Sequence, residues 1–410
     1  MIYVNDHIDV IVSKRDKKVY FYDLVNRKSI KINWSMYLFL LILDSEENLD
    51  LSSLDKDKIE KLKTELKKLY IRNILMYNKG KRFSHNLRYE LEQNPIKTIQ
   101  FEVTGKCNFN CKHCYNSDSR KNLDIPLSKI FEIIDDAYEM GVHKICLTGG
   151  EPLIRPQIRE VLMYLSSKSF SFELYTNGFL LDKSTCDFLN NVNVSKVKIS
   201  LDGKDSETHD KFRNKFGSYD KVVQAIKYLK SINVPVEINS VLHKKNINNI
   251  KEMCEFFQND LGVKYKLDFI INSGNAKDNY NDIGISINEY CNSMYPYVRK
   301  YLKETNIDYT NPCISNDFCG IGKEFIYIKS DGLIKLCPSI DDTYNYGSIF
   351  NKRLKDLWND KLINKYRNLT CRLANECKHI SICKGGCRSR GLLLGDKLTD
   401  PDLLICNLFK

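Results

Sequence analysis

The sequence predicts an α/β protein: a partial (β/α)6 barrel, preceded by a small α+β domain and followed by a cysteine-rich domain. Three observations carry this. Strand and helix patterns alternate six times between residues 96 and 305, apolar and polar residues alternate over 8–32 ahead of two helical stretches, and eight of the fifteen cysteines lie in 306–410. The chain has 410 residues, 42% of them apolar, which is enough for more than one core.

In 1–95, Ile8, Val10 and Val12 alternate with polar neighbours, as do Val19 and Phe21, then Ile30 and Ile32. Polar turns at 14–17 and 26–27 separate these runs, so they read as a short antiparallel sheet. Helical spacing follows at Trp34–Leu43 and again from Asp55 to Tyr77, with Ile59, Leu62, Leu66 and Leu69 on one face. Three strands with helices make this a winged-helix-like unit, and Asn94–Pro95 marks its boundary.

In 96–305, strands are expected at Ile99–Val103, Lys144–Leu147, Phe170–Tyr175, Lys196–Leu201, Pro235–Val241 and Lys264–Ile270. Helices such as Leu127–Met140, Lys221–Leu229 and Ile247–Phe257 lie between them. Such alternation builds a parallel sheet, and barrels of this TIM-like kind place their chemistry at the C-terminal strand ends. In 306–410 strand and helix signals are weak, and the segment is expected to fold around metal.

The net charge is +11, from 63 basic and 52 acidic residues, and it is spread over lysine-rich stretches such as 56–68. That pattern reads as solvated helix faces, with attraction to an acidic partner such as a peptide or nucleic acid as the alternative. No arginine-rich recognition helix is present, so nucleic acid is not expected as a partner. No signal peptide is legible, and Leu38–Leu43 is too short to span a bilayer. A cytoplasmic location without membrane attachment is therefore expected. Thiols stay reduced there, so fifteen cysteines need another use, and their clustering points to metal. Cys146, Cys186, Cys254 and Cys291 lie inside expected strands or helices and read as buried, inert thiols.

Cys107, Cys111 and Cys114 form C-x3-C-x2-C directly after the first barrel strand. Three thiolates on one loop can hold three irons of a [4Fe–4S] cluster and leave the fourth iron open. Zinc would take a fourth protein ligand. The loop resembles that of the radical S-adenosylmethionine (SAM) superfamily, in which SAM chelates the open iron through its amino and carboxylate groups. The resemblance implies SAM contacts from His113 and Tyr115 beside the third cysteine, and from Gly149, Gly150 and Glu151 after the second strand. It extends to Thr176 and Asn177 after the third strand, to Ser200 and Asp202 after the fourth, and to Arg213, similar to an arginine that clamps the SAM carboxylate. The family usually has an aromatic residue where this chain has His113.

Further on, Cys319, Cys337, Cys377, Cys383, Cys387 and Cys406, with the stretch YGSIFNKRLKDLW, resemble the SPASM domain. That domain holds two auxiliary [4Fe–4S] clusters. The resemblance implies Cys313, Cys319, Cys337 and Cys387 as ligands of one cluster and Cys371, Cys377, Cys383 and Cys406 as ligands of the other. The family usually has a cysteine where this chain has Ala374, and Cys371 is taken as the displaced ligand. Zinc bound by four cysteines is the alternative for this region.

The N-terminal unit resembles the leader-recognition element of ribosomal peptide maturases. Together these resemblances imply a radical SAM peptide maturase with three [4Fe–4S] clusters. It would install a thioether, carbon–carbon or carbon–oxygen cross-link in a precursor peptide bearing a leader, with flavodoxin or ferredoxin as electron donor. The alternatives are a radical SAM/SPASM enzyme for another substrate, such as a sulfatase or a small molecule, and a non-catalytic iron–sulfur or zinc scaffold. Cys337 is followed by Pro338, where sulfatase-maturing relatives keep an acid; Asp341 and Asp342 lie nearby.

Overall fold

The structure, a computed structural model, describes residues 2–5, 8–13, 18–23, 28–32, 34–42, 56–72, 74–77, 86–91, 96–117, 124–168, 171–304, 319–367, 369–383 and 385–408. Strands β1 (Ile2–Val4), β2 (Ile8–Ser13), β3 (Lys18–Asp23), β4 (Lys28–Ile32), β5 (Leu75–Tyr77) and β6 (Asn86–Leu91) belong to the N-terminal unit. The expected meander β2–β3–β4 is antiparallel, with Val10 opposite Phe21 and Phe21 opposite Ile30. Its apolar face closes on the Trp34–Ile42 helix through Met36, Tyr37 and Leu40.

The long helix ends earlier than its periodicity predicts. It spans Lys56–Ile71, and Leu75–Tyr77 instead form β5, paired antiparallel to β1. Ile74 and Leu75 are fully buried in the core of this unit, which draws them out of the helix and under the sheet. β6 pairs parallel to β2, so β4 is an edge strand among the described residues.

Strands β7 (Thr98–Thr104), β8 (Lys144–Gly149), β9 (Ser171–Thr176), β10 (Lys196–Ser200), β11 (Val236–Leu242) and β12 (Lys264–Phe269) lie side by side in chain order, all parallel. One face is apolar. Ile99, Ile145, Phe172, Leu174, Val197 and Ile238 are wholly buried there with Ile130, Ile134, Val161, Leu165, Ile226 and Leu229 of the outer helices. The opposite, concave face is polar, because side chains alternate along each strand. Lys198 sits there 3.0 Å from Glu237, and Lys144 3.1 Å from Glu173.

The C-terminal segment is more regular than its sequence suggests. Strands β13 (Phe325–Ile328), β14 (Leu333–Lys335) and β15 (Asn345–Ser348) extend the barrel sheet, β13 pairing parallel to β7 and the rest forming an antiparallel meander. Arg353, in the stretch after β15, clamps the buried carboxylate of Asp136 on the Leu127–Glu139 helix, which also accepts the Leu354 N–H at 3.0 Å. Among the described residues, no helix is long and apolar enough to cross a membrane.

Candidate active site

All six barrel strands point their C-terminal ends at one rim, and the candidate residues collect there. The loop after β7 carries Cys107, Cys111 and Cys114. Cys111 is buried, and burial pushes its thiol up to about 12, with its two neighbours adding to the shift. The loop is pinned from several sides. The Phe109 N–H points at Cys107 Sγ at 3.4 Å, and the Cys114 N–H at the Cys111 carbonyl at 3.2 Å. Across the rim, Asn275 donates from Nδ2 to the Cys111 carbonyl at 3.0 Å and from its backbone N–H to the Cys114 carbonyl at 2.9 Å.

The turn after β8 abuts this loop. The Gly150 N–H donates to the Thr104 carbonyl at 2.9 Å and the Glu151 N–H to the Lys106 carbonyl at 2.8 Å. The Glu151 side chain is completely buried and accepts from Thr176 Oγ1 and the Asn177 N–H, both at 2.7 Å, and from the Leu153 N–H at 3.1 Å. Burial raises its carboxyl to about 7 against those three donors. In this geometry Glu151 shapes the pocket by holding the ends of β8 and β9 together. Asn177 continues the chain of contacts to Asn108 of the cluster loop at 2.7 Å.

Asp202 and Arg213 form a buried ion pair at 2.5 Å. Asp202 also accepts the Val241 N–H at 2.8 Å, and Arg213 hydrogen-bonds to the Cys111 sulfur. Burial alone would raise the Asp202 carboxyl, but the guanidinium outweighs it and holds it down to about 2. Removing one partner of a buried pair strands the other charge, at a cost of about 3–5 kcal/mol. Asp202→Asn is therefore expected to lower unfolding free energy by that amount in urea titrations under anaerobic conditions. A loss below about 1 kcal/mol would place the pair among weak, solvent-screened ones.

His113 does not stand alone at the rim. Its ring stacks on Phe212 at 4.1 Å, and Phe212 stacks on His243 at 3.7 Å. Burial pushes His113 well below its ordinary value, and its Nδ1 has no hydrogen-bond partner among the described residues. Ser200 ends β10 beside Asn239 of β11. Tyr115 turns away from the rim toward the C-terminal segment, where its hydroxyl meets that of Tyr327. Tyr327 in turn hydrogen-bonds Glu102 of β7, whose wholly buried carboxylate also takes Asn116 Nδ2 at 2.6 Å and the Ser330 N–H at 3.0 Å. Desolvation raises the Glu102 carboxyl despite these donors.

The C-terminal cysteines fall into two sets. Cys337 senses the charges of Cys387 and Cys319, while Cys406 senses Cys383, Cys371 and Cys377. Cys313 lies outside the described residues. Backbone N–H groups already face several of these sulfurs, those of Ile321 and Arg388 at Cys319 and that of Gly385 at Cys383. Asp402, buried, accepts the Cys387 N–H at 2.8 Å and Arg390 Nη2 at 2.7 Å, tying the last helix to the cysteine loop. No three His, Cys, Asp or Glu side chains among the described residues converge as a single-ion site. Thiols grouped in these two sets, with N–H donors aimed at sulfur, fit iron–sulfur cubanes. Cys146, Cys186, Cys254 and Cys291 are buried within the strand and helices that carry them.

Sequence reasoning missed Glu102, Phe212, Tyr327, His243 and Asn275. For Asn275 a signal existed: it follows Ser273-Gly274 just beyond the sixth strand, and Gly274 adopts φ 56° against the Cys114 carbonyl. The others carry no motif.

A partial parallel barrel whose rim gathers a three-thiolate loop, a glycine turn and a buried arginine has the make-up of a radical SAM protein. Residues 101–257 match the Radical SAM superfamily and residues 319–388 the SPASM iron–sulfur cluster-binding domain. The chain is a radical SAM enzyme with a SPASM domain; it uses SAM, a [4Fe–4S] cluster in the barrel and auxiliary iron–sulfur clusters in the C-terminal domain.

It is 27% identical over 306 residues to the antilisterial bacteriocin subtilosin biosynthesis protein AlbA of Bacillus subtilis, covering 71% of this chain and 67% of AlbA. It is 29% identical over 187 residues to the AdoMet-dependent heme synthase of Methanosarcina barkeri, covering 45% of this chain and 54% of that one. The chain thus spans about half the length of that synthase. The fold is similar to that of Streptococcus suis SuiB bound to precursor peptide SuiA, with a TM-score of 0.67 and 18% identity over 98% of this chain and 99% of that one.

Proposed function

We propose that this enzyme matures a ribosomally made precursor peptide by installing a thioether, carbon–carbon or carbon–oxygen cross-link in the cytoplasm. The observation that carries the reading is one chain holding both a radical-generating rim and an N-terminal sheet with an edge strand, β4, available to a peptide. An extended leader adding to such an edge gains main-chain hydrogen bonds, with side-chain pockets setting specificity. Residues 1–95 are the peptide-recognition domain in this reading, 96–305 the barrel and 306–410 the auxiliary-cluster domain. The similarity to AlbA and to SuiB with its peptide supports it.

When bound, the barrel cluster and SAM supply a 5′-deoxyadenosyl radical able to take hydrogen from unactivated carbon. The chain's residues orient these groups. Cys107, Cys111 and Cys114 would hold the cluster, Gly149 and Gly150 give close backbone approach, and Thr176, Asn177, Ser200, Asp202, Arg213 and His113 frame the pocket, while Tyr115 braces the loop against Tyr327. Cys313, Cys319, Cys337 and Cys387 hold one auxiliary cluster, and Cys371, Cys377, Cys383 and Cys406 the other. A flavodoxin or ferredoxin supplies the electron.

A sulfatase-type oxidation fits less well. Asp342, a carboxylate open to serve it as base, lies 2.5 Å from Lys329 and 2.8 Å from Lys335. Burial raises its carboxyl, but the two ammoniums outweigh that and lower it. Anaerobic turnover with a leader-bearing precursor is expected to yield a product lighter by a pair of hydrogens in tandem mass spectrometry. Deleting residues 1–95 is expected to weaken leader binding by at least about tenfold, or 1.4 kcal/mol. Equal affinity of the truncated and full chains would reject the recognition role, and an unmodified precursor would reject the maturase reading.

A further inference from the structure

A surface of distinctive composition packs against the cluster loop through Phe109. Phe216 is 96% exposed in the turn between the Ser206–Arg213 and Ser218–Ser231 helices. Phe109 of the cluster loop packs edge-on against Phe179 at 5.5 Å. Lys215 lies 5.0 Å from the Phe179 ring and 6.0 Å from that of Phe109, and Lys221 3.9 Å over Phe179. Lys112, between two cluster cysteines, donates its backbone N–H to the carbonyl of Phe212, on the helix just before Lys215, at 3.2 Å.

The carboxylates nearby are mostly engaged. Lys211 neutralises Glu207 at 2.7 Å, Lys106 neutralises Asp124 at 2.9 Å, and Asp210 is spent on Gly217, Ser218 and Tyr219. Asp205 caps its helix at Thr208. That leaves exposed Asp220 set against Lys112, Lys215 and Lys221, none of which has a carboxylate partner among the described residues.

A lone exposed apolar residue is ordinary. An almost fully exposed phenylalanine next in the chain to Lys215, with Lys215 and Lys221 over the Phe109–Phe179 pair that packs on the cluster loop, has the make-up of a small electron-transfer interface. Such interfaces are weak and steered by charge, and aromatic residues anchor their centres. We propose that Phe216, with Lys112, Lys215 and Lys221, is the docking surface for an acidic one-electron carrier protein. The carrier is oxidised by one electron as the cluster on Cys107, Cys111 and Cys114 is reduced by one. The inference rests on the radical SAM class alone and is independent of the peptide substrate.

The test uses the holoenzyme and a bacterial flavodoxin, oxidised for binding by calorimetry and as its hydroquinone for stopped-flow bleaching of cluster absorbance, with dithionite as a small, surface-indifferent reductant. Phe216→Ala is expected to weaken flavodoxin binding and slow flavodoxin-driven bleaching by about tenfold, with dithionite bleaching and dithionite-driven SAM cleavage unchanged. Flavodoxin-driven bleaching of the parent is expected to slow steeply with ionic strength, and a Lys215→Gln/Lys221→Gln double variant to flatten that slope. Equal flavodoxin rates in parent and variants, a salt-independent parent rate, failure of flavodoxin to reduce the parent, or equal slowing with both reductants would each overturn the proposal. SAM cleavage with dithionite and no peptide keeps these outcomes separate from failure of the maturase reading.

Discussion

Cys107→Ala is expected to abolish 5′-deoxyadenosine formation, down to the level of a reaction lacking enzyme. The cubane at this rim depends on three thiolates from one short loop, and no neighbour can take the place of the lost one. The nearest strand cysteine, Cys146, lies buried on β8 with its sulfur directed at Glu173 at 3.7 Å. The Phe109 N–H that faces Cys107 Sγ would lose its acceptor, and Phe109 is itself a buried prop of the loop. Iron content should fall by one cluster, while absorbance from the C-terminal clusters persists, because their cysteines come from a segment that begins at Cys319 among the described residues. Chromatographic detection of deoxyadenosine after anaerobic incubation with dithionite and SAM checks this. Undiminished cleavage would reject the loop as the SAM cluster site.

What the sequence made legible is chemistry that depends on residue type at fixed local spacing. The cysteine loop, the glycine turn and the strand–helix alternation are all of that kind. What it hid depends on distant contacts. Tyr327 and Glu102 are 225 positions apart and meet only because β13 docks on β7. His243 joins the site because β11 ends beside the helix that carries Phe212. Strands as short as β5 or β14 leave too few alternating positions to register in a sequence pattern, and β5 was absorbed into the helix that precedes it.

Glu151 shows a subtler limit. Its place in the site could be read from the motif, but its role could not, because the donors that occupy its carboxylate come from the end of β9. The Tyr115–Tyr327–Glu102 contacts have a consequence for the whole enzyme: they fix the SAM-cluster loop against the C-terminal meander that leads to Cys337. The SAM-cluster loop and the strands that lead to Cys337 are thereby tied to one sheet.

Gly150→Ala is expected to separate cluster assembly from SAM chemistry. A Cβ at this position would lie far inside contact distance of the Lys106 carbonyl and 2.9 Å from Cys107 Cβ. Neither neighbour can yield cheaply. The Lys106 carbonyl already accepts the Glu151 N–H, and Cys107 is fixed by its place in the cluster loop. Forcing a methyl into a packed site costs about 1–3 kcal/mol. Here that strain falls on the seam between the cluster loop and the glycine turn, not on the apolar core beneath the sheet. The fold should therefore survive, with iron content near that of the parent. SAM binding, read as its perturbation of the reduced cluster's electron paramagnetic resonance signal, should weaken by about ten- to a hundredfold, since each 1.4 kcal/mol is a factor of ten. Gly217→Ala provides the contrast: nothing lies within 4 Å of its Cβ, and its φ of 71° adds only local backbone strain away from the SAM pocket. That variant should lose a little stability and keep SAM affinity. If both glycine variants bound SAM like the parent, close backbone approach at Gly150 would not be what shapes the pocket.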